Sequence, residues 1–516
     1  ENAAGVGAAG GAPRRAIRYN ARTVKRLVWA LAIACAFGCS SGEGAHKSTP
    51  AAAAGSVTPP SELELQARRA DDALEKEFPL HGLVTGLQLK VRVKPDPDAT
   101  TVGWLRVGSR IRLAPGPTKT ATCASGFYRV RPMGYACAGE GIEVAAQPPA
   151  SDIVVNLAAR DAALPYPYYF VKDDKAPEFH RIPSRDEQRE AVAYVERYFA
   201  LKADNEKRAE KFWTDGLPND LVRPNFVRAF LSRGFFVAGA GIEVRAFRNF
   251  VRTVRGRYIK ESQLEQRQGS SFHGIVLDAA HQLPIAWMVR EARPFKPVTR
   301  DDGSMRLVAD ETQPPIARHT VLDWEKRERN GDLIFHRLRD GRYLKEWFAA
   351  VAERIDPPEG IADDQPWIHV NLDQQTLVAY VGKEPKYATL VSSGLEGHDT
   401  PPGVYTIRAK HVAATMSDIG ADAENDRYSI EDVPWTQYFE GSLALHGAFW
   451  HERFGLPRSH GCVNLAPLDA HYLFNFTWPP VPDGWHGTST DRTGLKGSTV
   501  VITKKAAPAK PVVVAP

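Results

Sequence analysis

The sequence predicts a mainly β, multidomain chain: an N-terminal small β-barrel, a mixed α/β middle region and a β-rich C-terminal domain. Three observations predict it. A length of 516 residues exceeds one hydrophobic core and calls for three or four domains at ~150 residues each. Short runs of alternating apolar residues, punctuated by Gly and Pro, fill residues 82–146 and again 365–503. Between them, over 150–360, helical periodicity and strand-like alternation are mixed. With 43% hydrophobic and 25% charged residues the composition is that of a globular protein. A net charge of +5 is small for this length; it gives no case for a nucleic-acid partner and suits an anionic envelope.

Residues 1–39 read as a signal region. Arg14, Arg15, Arg18, Arg22, Lys25 and Arg26 precede the apolar run Leu27 to Phe37. That run is shorter than the ~20 residues a membrane-spanning helix needs but suits a signal-peptide core. It ends in Ala36-Phe37-Gly38-Cys39, which resembles the lipobox of bacterial lipoproteins, although Ala36 and Phe37 depart from the commonest pattern. The resemblance implies lipidation of Cys39, membrane anchoring through that lipid and a periplasmic location. Residues 40–80 read as a flexible Ala/Pro/Ser/Gly tether followed by a short helix over 62–76.

From 82 to 146, "LQLKVRV", "TVGWLRVGSRIRLA", "GFYRVRP" and "GYACAG" alternate as the strands of a small barrel. The segment resembles bacterial Src-homology-type modules that accompany cell-wall enzymes. Export permits disulfides, and Cys123 and Cys137, fourteen apart in this turn-rich stretch, read as a pair. Cys35 leaves with the signal, so Cys462 has no partner. A lone thiol in an oxidising compartment is a liability unless it has a task.

The middle region carries no recognisable chemistry. Ala191, Val195, Tyr198 and Leu201 share a helical face. "RAFRNFVRTVRGRYIK" reads as alternating strand with a solvated basic face rather than as a nucleic-acid contact, and "GAGIEV" lacks the third glycine and helix of a nucleotide loop. "IFHRLRDGRYLKEWFAAVAERIDPPEG" reads as a strand, a turn at Asp340-Gly341 and a helix leading into the last domain. There, "WIHVNLDQQTLVAYV" is a β-hairpin turning at Asp373-Gln374-Gln375, and "KYATLVSSG", "GVYTIRAK", "GSLALHGAF" and "STVVITK" supply further strands. Residues 504–516 read as a disordered tail.

The chemistry concentrates in "HGAFWHERFGLPRSHGCVN", residues 446–464. A strand ends at His446, and Cys462 follows sixteen residues later, after a Gly- and Pro-containing loop able to return the thiol to the imidazole. Imidazole is the usual base for a thiol nucleophile, and the two could form a thiolate–imidazolium pair. Gly461 lets a carbonyl approach the backbone, where N–H groups near Cys462 could hold an oxyanion. Metal binding by His446, His451, His460 and Cys462 is chemically possible, but the spacing matches no zinc site, and the reading assigns no metal and no cofactor. A structural cysteine in a His-rich loop is the other bland alternative. His451 reads as a surface loop residue, Met416 as a packing residue and "TPPG" at 400–403 as a turn.

Ser459-His460-Gly461-Cys462-Val463-Asn464, preceded by His446-Gly447 at this spacing, resembles the signature of the L,D-transpeptidase (YkuD-type) catalytic domain. The likeness extends over 365–503 and takes in "WIHVNLDQQTLVAY", "VSSGLEGHDTPPGVYTI", Lys410 and Met416 in the next loop, and "DVPWTQYF". It implies a β-rich catalytic fold with Cys462 as nucleophile and His446 as general base and acid. It further implies that the Gly447 carbonyl orients the imidazole, with Ser459, His460, Gly461 and Asn464 lining the substrate or oxyanion pocket. The implied activity is acyl transfer from a peptidoglycan tetrapeptide stem to a diaminopimelate amine through a thioester. Two other classes stay open: a cysteine-dependent peptidoglycan hydrolase of the same fold, and a non-catalytic wall-binding lipoprotein.

Overall fold

A computed structural model describes residues 73–150, 157–204, 221–417 and 429–505. The signal region, Cys39, nearly all of the tether and the tail from 506 onward lie outside the described residues. Among the described residues no helix is long and apolar enough to cross a membrane.

The C-terminal domain is built on two sheets. We label its elements β1 (Pro366–Asn371), β2 (Thr376–Val381), β3 (Glu384–Leu390), β4 (Gly403–Thr406), β5 (Ala409–Ser417), β6 (Ser429–Glu440), β7 (Leu443–Gly447), β8 (Val463–Leu465), α1 (Pro467–Phe476), β9 (Gly487–Ser489) and β10 (Thr499–Thr503). The first sheet runs β3-β2-β1-β10-β4, with the short upstream strand Ile275–Val276 on the β3 edge. β1 and β2 form the expected hairpin, with Ile368 opposite Ala379, and β10 lies parallel to β1.

The alternation of β1 suggests one buried face, but the structure buries both. Ile368 and Val370 pack into the cluster that includes Leu473 and Phe474 of α1. On the opposite face Trp367 stacks on Tyr380 at 4.2 Å, against Trp287, Ala350 and Ala352 from upstream. The second layer is therefore supplied by another part of the chain.

The second sheet carries the order β5-β6-β7-β8 as its functional part, with β9 on the other side of β5. β9 also pairs with the upstream strand Thr101–Arg106, through Gly103 opposite Thr488 and Trp104 opposite Gly487. Gly103 is required at this crossing, because a Cβ there would sit 2.2 Å from the Trp485 ring. Lys410 and Met416 lie within the strand β5, not in a loop. α1 starts at Pro467, whose missing N–H costs nothing at a helix start. Asp469 in its first turn accepts from the Gly274 N–H and the Tyr387 hydroxyl, both at 2.7 Å, and from Thr389. The fully buried Lys410 ends the helix. Its Nζ donates to the carbonyls of Phe474 (2.6 Å) and Thr477 (2.7 Å), placing a donor where the last-turn carbonyls lack partners.

The upstream regions share one device: a short strand, one 3-10 turn and a second strand. It occurs as Tyr135–Cys137, Ala138–Glu140 and Ile142–Ala145, then as Tyr258–Lys260, Glu261–Gln263 and Leu264–Arg267. It occurs again as Tyr343–Lys345, Glu346–Phe348 and Ala349–Ala352. The last copy corrects the helix read into "YLKEWFAAVA". Those residues favour helix locally, but Ala349–Ala352 is buried along its whole length and pairs with Ile285–Met288, so tertiary pairing overrides propensity. Among its described residues the middle region is thus mostly strand, with one long helix, Arg185–Asp204. Ser184 and Glu187 start that helix as a capping box, with reciprocal bonds of 3.1 and 2.8 Å, and Ala191 and Val195 face inward.

Within residues 80–145, Arg110–Leu113, Leu80–Val84 and Ile142–Ala145 form a small three-stranded sheet, while Gln88–Arg92, Thr101–Arg106 and Cys123–Arg129 belong to the large sheet that also carries β5–β9. Cys123 and Cys137 are joined by a disulfide between adjacent strands. The bond closes a loop of 14 residues' separation. Replacing both cysteines by alanine should lower the stability of this region by about 3 kcal/mol, read as an earlier urea midpoint. Non-reducing peptide mapping should recover the two cysteines linked.

Lys410 gives a second prediction. Burial, aided by Arg160, lowers its pKa from the ordinary 10.5 to about 7. Between those values the unfolded chain binds a proton that the folded chain has released, so this group makes stability rise as pH rises from about 7 toward 10. The difference in urea midpoint between wild type and Lys410→Met should grow over that window; a flat difference would contradict it.

Candidate functional site

The strands β7 and β8 bring the sixteen-residue loop back on itself. They pair in parallel, with Leu445 opposite Val463, His446 opposite Asn464 and Gly447 opposite Leu465. Side chains alternate along a strand, so His446 and Asn464 share a face, and Cys462, two residues before Asn464, lies on that face next to Ala444. The thiol is partly exposed and not disulfide-bonded. Its Sγ lies 3.7 Å from the Ser442 carbonyl.

His446 is 3% exposed. Its Nδ1–H donates to the Gly447 carbonyl at 3.2 Å, which leaves the lone pair on Nε2 for a proton in transit. Trp450 lies over the ring at 5.7 Å. Burial pushes the imidazole down to about 4, opposed by that carbonyl, and burial pushes the Cys462 thiol up. Both shifts favour uncharged groups. In this environment burial favours the uncharged thiol and the neutral imidazole over the thiolate–imidazolium pair that the sequence allows. The low dielectric that strengthens charge interactions also penalises separating charge before substrate arrives.

Ser459 shapes the turn before the thiol. Its Oγ donates to the Cys462 carbonyl and accepts the Gly461 N–H at 3.2 Å, while its N–H donates to Ser393 at 2.9 Å. The Gly461 N–H is therefore engaged within the turn rather than pointed at a substrate oxygen. Thr400, in the "TPPG" turn, donates to the Gly461 carbonyl at 2.8 Å and accepts from the Gly394 N–H at 2.9 Å. Gly461 has φ +107°, and a Cβ would meet Leu443 at 2.8 Å, so only glycine fits. His460 is exposed, its ring 4.5 Å from that of His398.

His451 corrects the sequence reading. It is 8% exposed and sits beneath the site rather than on the surface. Its Nδ1 accepts the Arg453 N–H at 3.1 Å, so the neutral ring carries its proton on Nε2, which faces the Asn464 amide at 3.0 Å. Burial, with Arg458 nearby, pushes the ring down to about 3 and keeps it neutral. Asn464 Oδ1 in its assigned place is buried without a partner. Exchanging the amide oxygen and nitrogen resolves both facts: Oδ1 accepts from His451 Nε2–H, and the amide N–H₂ becomes a buried donor on the face that bears Cys462. The signal missed in sequence is a polar side chain closing the apolar run Ala448-Phe449-Trp450. Among the described residues, no group of three or more His, Cys, Asp or Glu side chains is placed to hold a metal ion.

His451→Ala should strand the Asn464 amide and lower stability by about 1–3 kcal/mol, seen as a reduced thermal midpoint. Acylation at Cys462 should slow, while iodoacetamide should still label the thiol. Unchanged acylation would remove His451 from the support of the site.

Residues 365–502 match the family profile of YkuD, the L,D-transpeptidase catalytic domain. No curated protein matches the chain. Similar solved structures include an Enterococcus faecium L,D-transpeptidase mutant (21% identity, 27% of this chain and 50% of that one, TM-score 0.21). A Stackebrandtia nassauensis L,D-transpeptidase gives 25% identity over 28% of this chain and 57% of that one, TM-score 0.20. The catalytic domain of the E. faecium enzyme gives 22% identity over 28% of this chain and 100% of that one, TM-score 0.21. The chain thus spans about half the length of the first two. Through residues 365–502, it carries a YkuD-type L,D-transpeptidase catalytic domain.

Proposed function

We propose that the protein is a peptidoglycan L,D-transpeptidase that works through a thioester on Cys462. The observation that supports the reading is the parallel register of β7 and β8, in which His446 stands opposite Asn464, two residues after Cys462. In this mechanism Cys462 attacks the carbonyl between the third and fourth residues of a donor stem as its proton passes to His446 Nε2. Because burial disfavours the separated ions, proton transfer accompanies the attack instead of preceding it. The Asn464 amide donates to the developing oxyanion. The C–N bond then breaks, and His446 returns its proton to the departing amine of D-Ala.

In the second half, the side-chain amine of a neighbouring diaminopimelate attacks the thioester, His446 accepts the amine's proton, and the C–S bond breaks. The sulfur recovers its proton from His446, which resets the neutral pair. No cofactor enters either half. Such a substrate places the chain in the cell envelope, and the tether and the lipid on Cys39 would hold it there. Wall binding is the role that fits residues 82–146, in keeping with their Src-homology-type pattern.

The test uses the full chain with tetrapeptide-bearing wall fragments and, separately, a carbapenem. Wild type should give cross-linked stems and a covalent adduct by intact mass. Cys462→Ala should abolish both, and His446→Ala should slow acylation by about a hundredfold or more while leaving an alkylatable thiol. An adduct persisting in Cys462→Ala would refute the nucleophile. Trimmed stems without cross-links would assign hydrolysis instead.

A further inference from the structure

The basic, aromatic run of residues 245–260 opens on the turn of a hairpin that the site around Cys462 does not use. Phe236–Arg245 pairs with Arg248–Thr253, and Arg245 stands opposite Arg248, so Ala246 and Phe247 alone make the turn. Both lie in the left-handed region, at φ +49° and +60°. A two-residue turn that needs positive φ twice is ordinarily Asn-Gly or Asp-Gly, because a Cβ is strained there. Phe247 is also 99% exposed, with Val244 (70%) and Ile242 (48%) exposed behind it. The chain gives up turn stability here to hold a bare ring at an apex.

The fold does not ask for that ring. Each of the three strand–turn–strand units follows a hairpin closed by two residues. Before the first, Thr120 stands opposite Cys123 around Ala121-Thr122; before the third, Asn330 stands opposite Leu333 around Gly331-Asp332. The third apex places glycine at its positive φ, +61°. Only the second apex carries an aromatic side chain, and it is ringed by guanidinium groups. Arg185 Nη2 reaches the Ala246 carbonyl at 3.5 Å, Arg245 and Arg248 flank the turn, and Arg248 is held by Gln188 at 2.8 Å and the Pro183 carbonyl at 2.9 Å. None of these three has an ion pair among the described residues. The neighbouring acids are engaged elsewhere: Asp186 by Arg189, Glu187 by Arg181 and Glu243 by Arg252.

We infer that this apex is a contact with an anionic lipid surface. Phe247 enters the boundary between headgroups and acyl chains, and Arg185, Arg245 and Arg248 meet the lipid phosphates. The inference goes beyond the proposed function and uses none of its residues. A glycan stacked on the ring leaves Val244 and Ile242 in water, whereas a hydrocarbon phase covers all three. A protein partner needs a pocket for a convex apex and acids for three guanidinium groups; a bilayer surface supplies both without a pocket. From Val244 to the apex is ~7–10 Å at ~3.4 Å per residue, the depth at which an interfacial segment sits. Long basic side chains keep their charge at the phosphate level while their stems lie against apolar surface. Up to Arg245 and Arg248 the backbone is already paired across the hairpin, so few open polar groups enter the lipid.

The test places a photoreactive benzophenone side chain at position 244 of the full chain, so that contact is read at the hairpin whatever else holds the chain to a membrane. The probes are vesicles of phosphatidylcholine mixed with phosphatidylglycerol, vesicles of phosphatidylcholine alone, and isolated wall fragments. Illumination with the anionic vesicles should give a lipid adduct by mass spectrometry; the same group at position 332, on the sister apex, should give little. Exchanging the apex, Ala246→Asn with Phe247→Gly, should lower the adduct at least about tenfold, the loss expected for one buried aromatic ring. A thermal midpoint at or above that of the wild type shows that the exchanged chain is folded, since Asn-Gly suits this turn. Arg185→Gln and Arg245→Gln should each lower the adduct about fivefold on the anionic vesicles, and leave the weaker signal on phosphatidylcholine unchanged. No lipid adduct, equal adducts from positions 244 and 332, or an adduct unmoved by the apex exchange would overturn the membrane contact. So would cross-linking to wall fragments or to a second copy of the chain in place of lipid.

Discussion

The parallel pairing of β7 with β8 is the interaction on which the site depends. Parallel strands need a connection long enough to run back along the sheet, and residues 448–462 are that connection. Its course is held along most of its length. Ser392 binds the Arg453 carbonyl, Gly455 N–H reaches Val391, Arg458 and Ser459 reach Ser393, and Arg318 reaches the carbonyls of Glu452 and Phe454. A shift of one residue in this register would carry Cys462 to the opposite face, beneath α1.

The site was legible because its chemistry is local. His446, Gly447 and the six residues from Ser459 to Asn464 sit within nineteen positions, and no fold knowledge is needed to see a thiol and an imidazole there. His451 was not legible, because its burial is decided by Asn464 and by Phe454, whose ring lies 4.9 Å away. The burial that lowers the His446 pKa and raises that of Cys462 was also not legible, because it is decided by the packing around the two groups and not by their spacing.

The fold divides in the same way. The hairpin of β1 and β2 follows from its own alternation, and the helix from Arg185 follows from Ser184 and Glu187. The third strand–turn–strand unit was misread as helix, although the sequence holds a clue. Gly256-Arg257-Tyr258-Ile259-Lys260-Glu261 recurs as Gly341-Arg342-Tyr343-Leu344-Lys345-Glu346. A repeat of this kind outweighs the helix preference of Ala and Leu, since it reports a shared tertiary setting.

The double burial of β1 has a consequence for synthesis. A chain made from its amino end folds its early regions first, yet Trp287, Ala350 and Ala352 find their partners in Trp367, Val378 and Tyr380. Until those later residues leave the ribosome, that apolar surface lacks the partners that cover it in the folded chain. Strand β3 likewise waits with an open edge unless Ile275–Val276 is already in place to pair with it. The upstream region thus acts as a template on which the catalytic sheet assembles, and the sequence limits of the catalytic domain are not limits at which the chain can be cut without exposing a core.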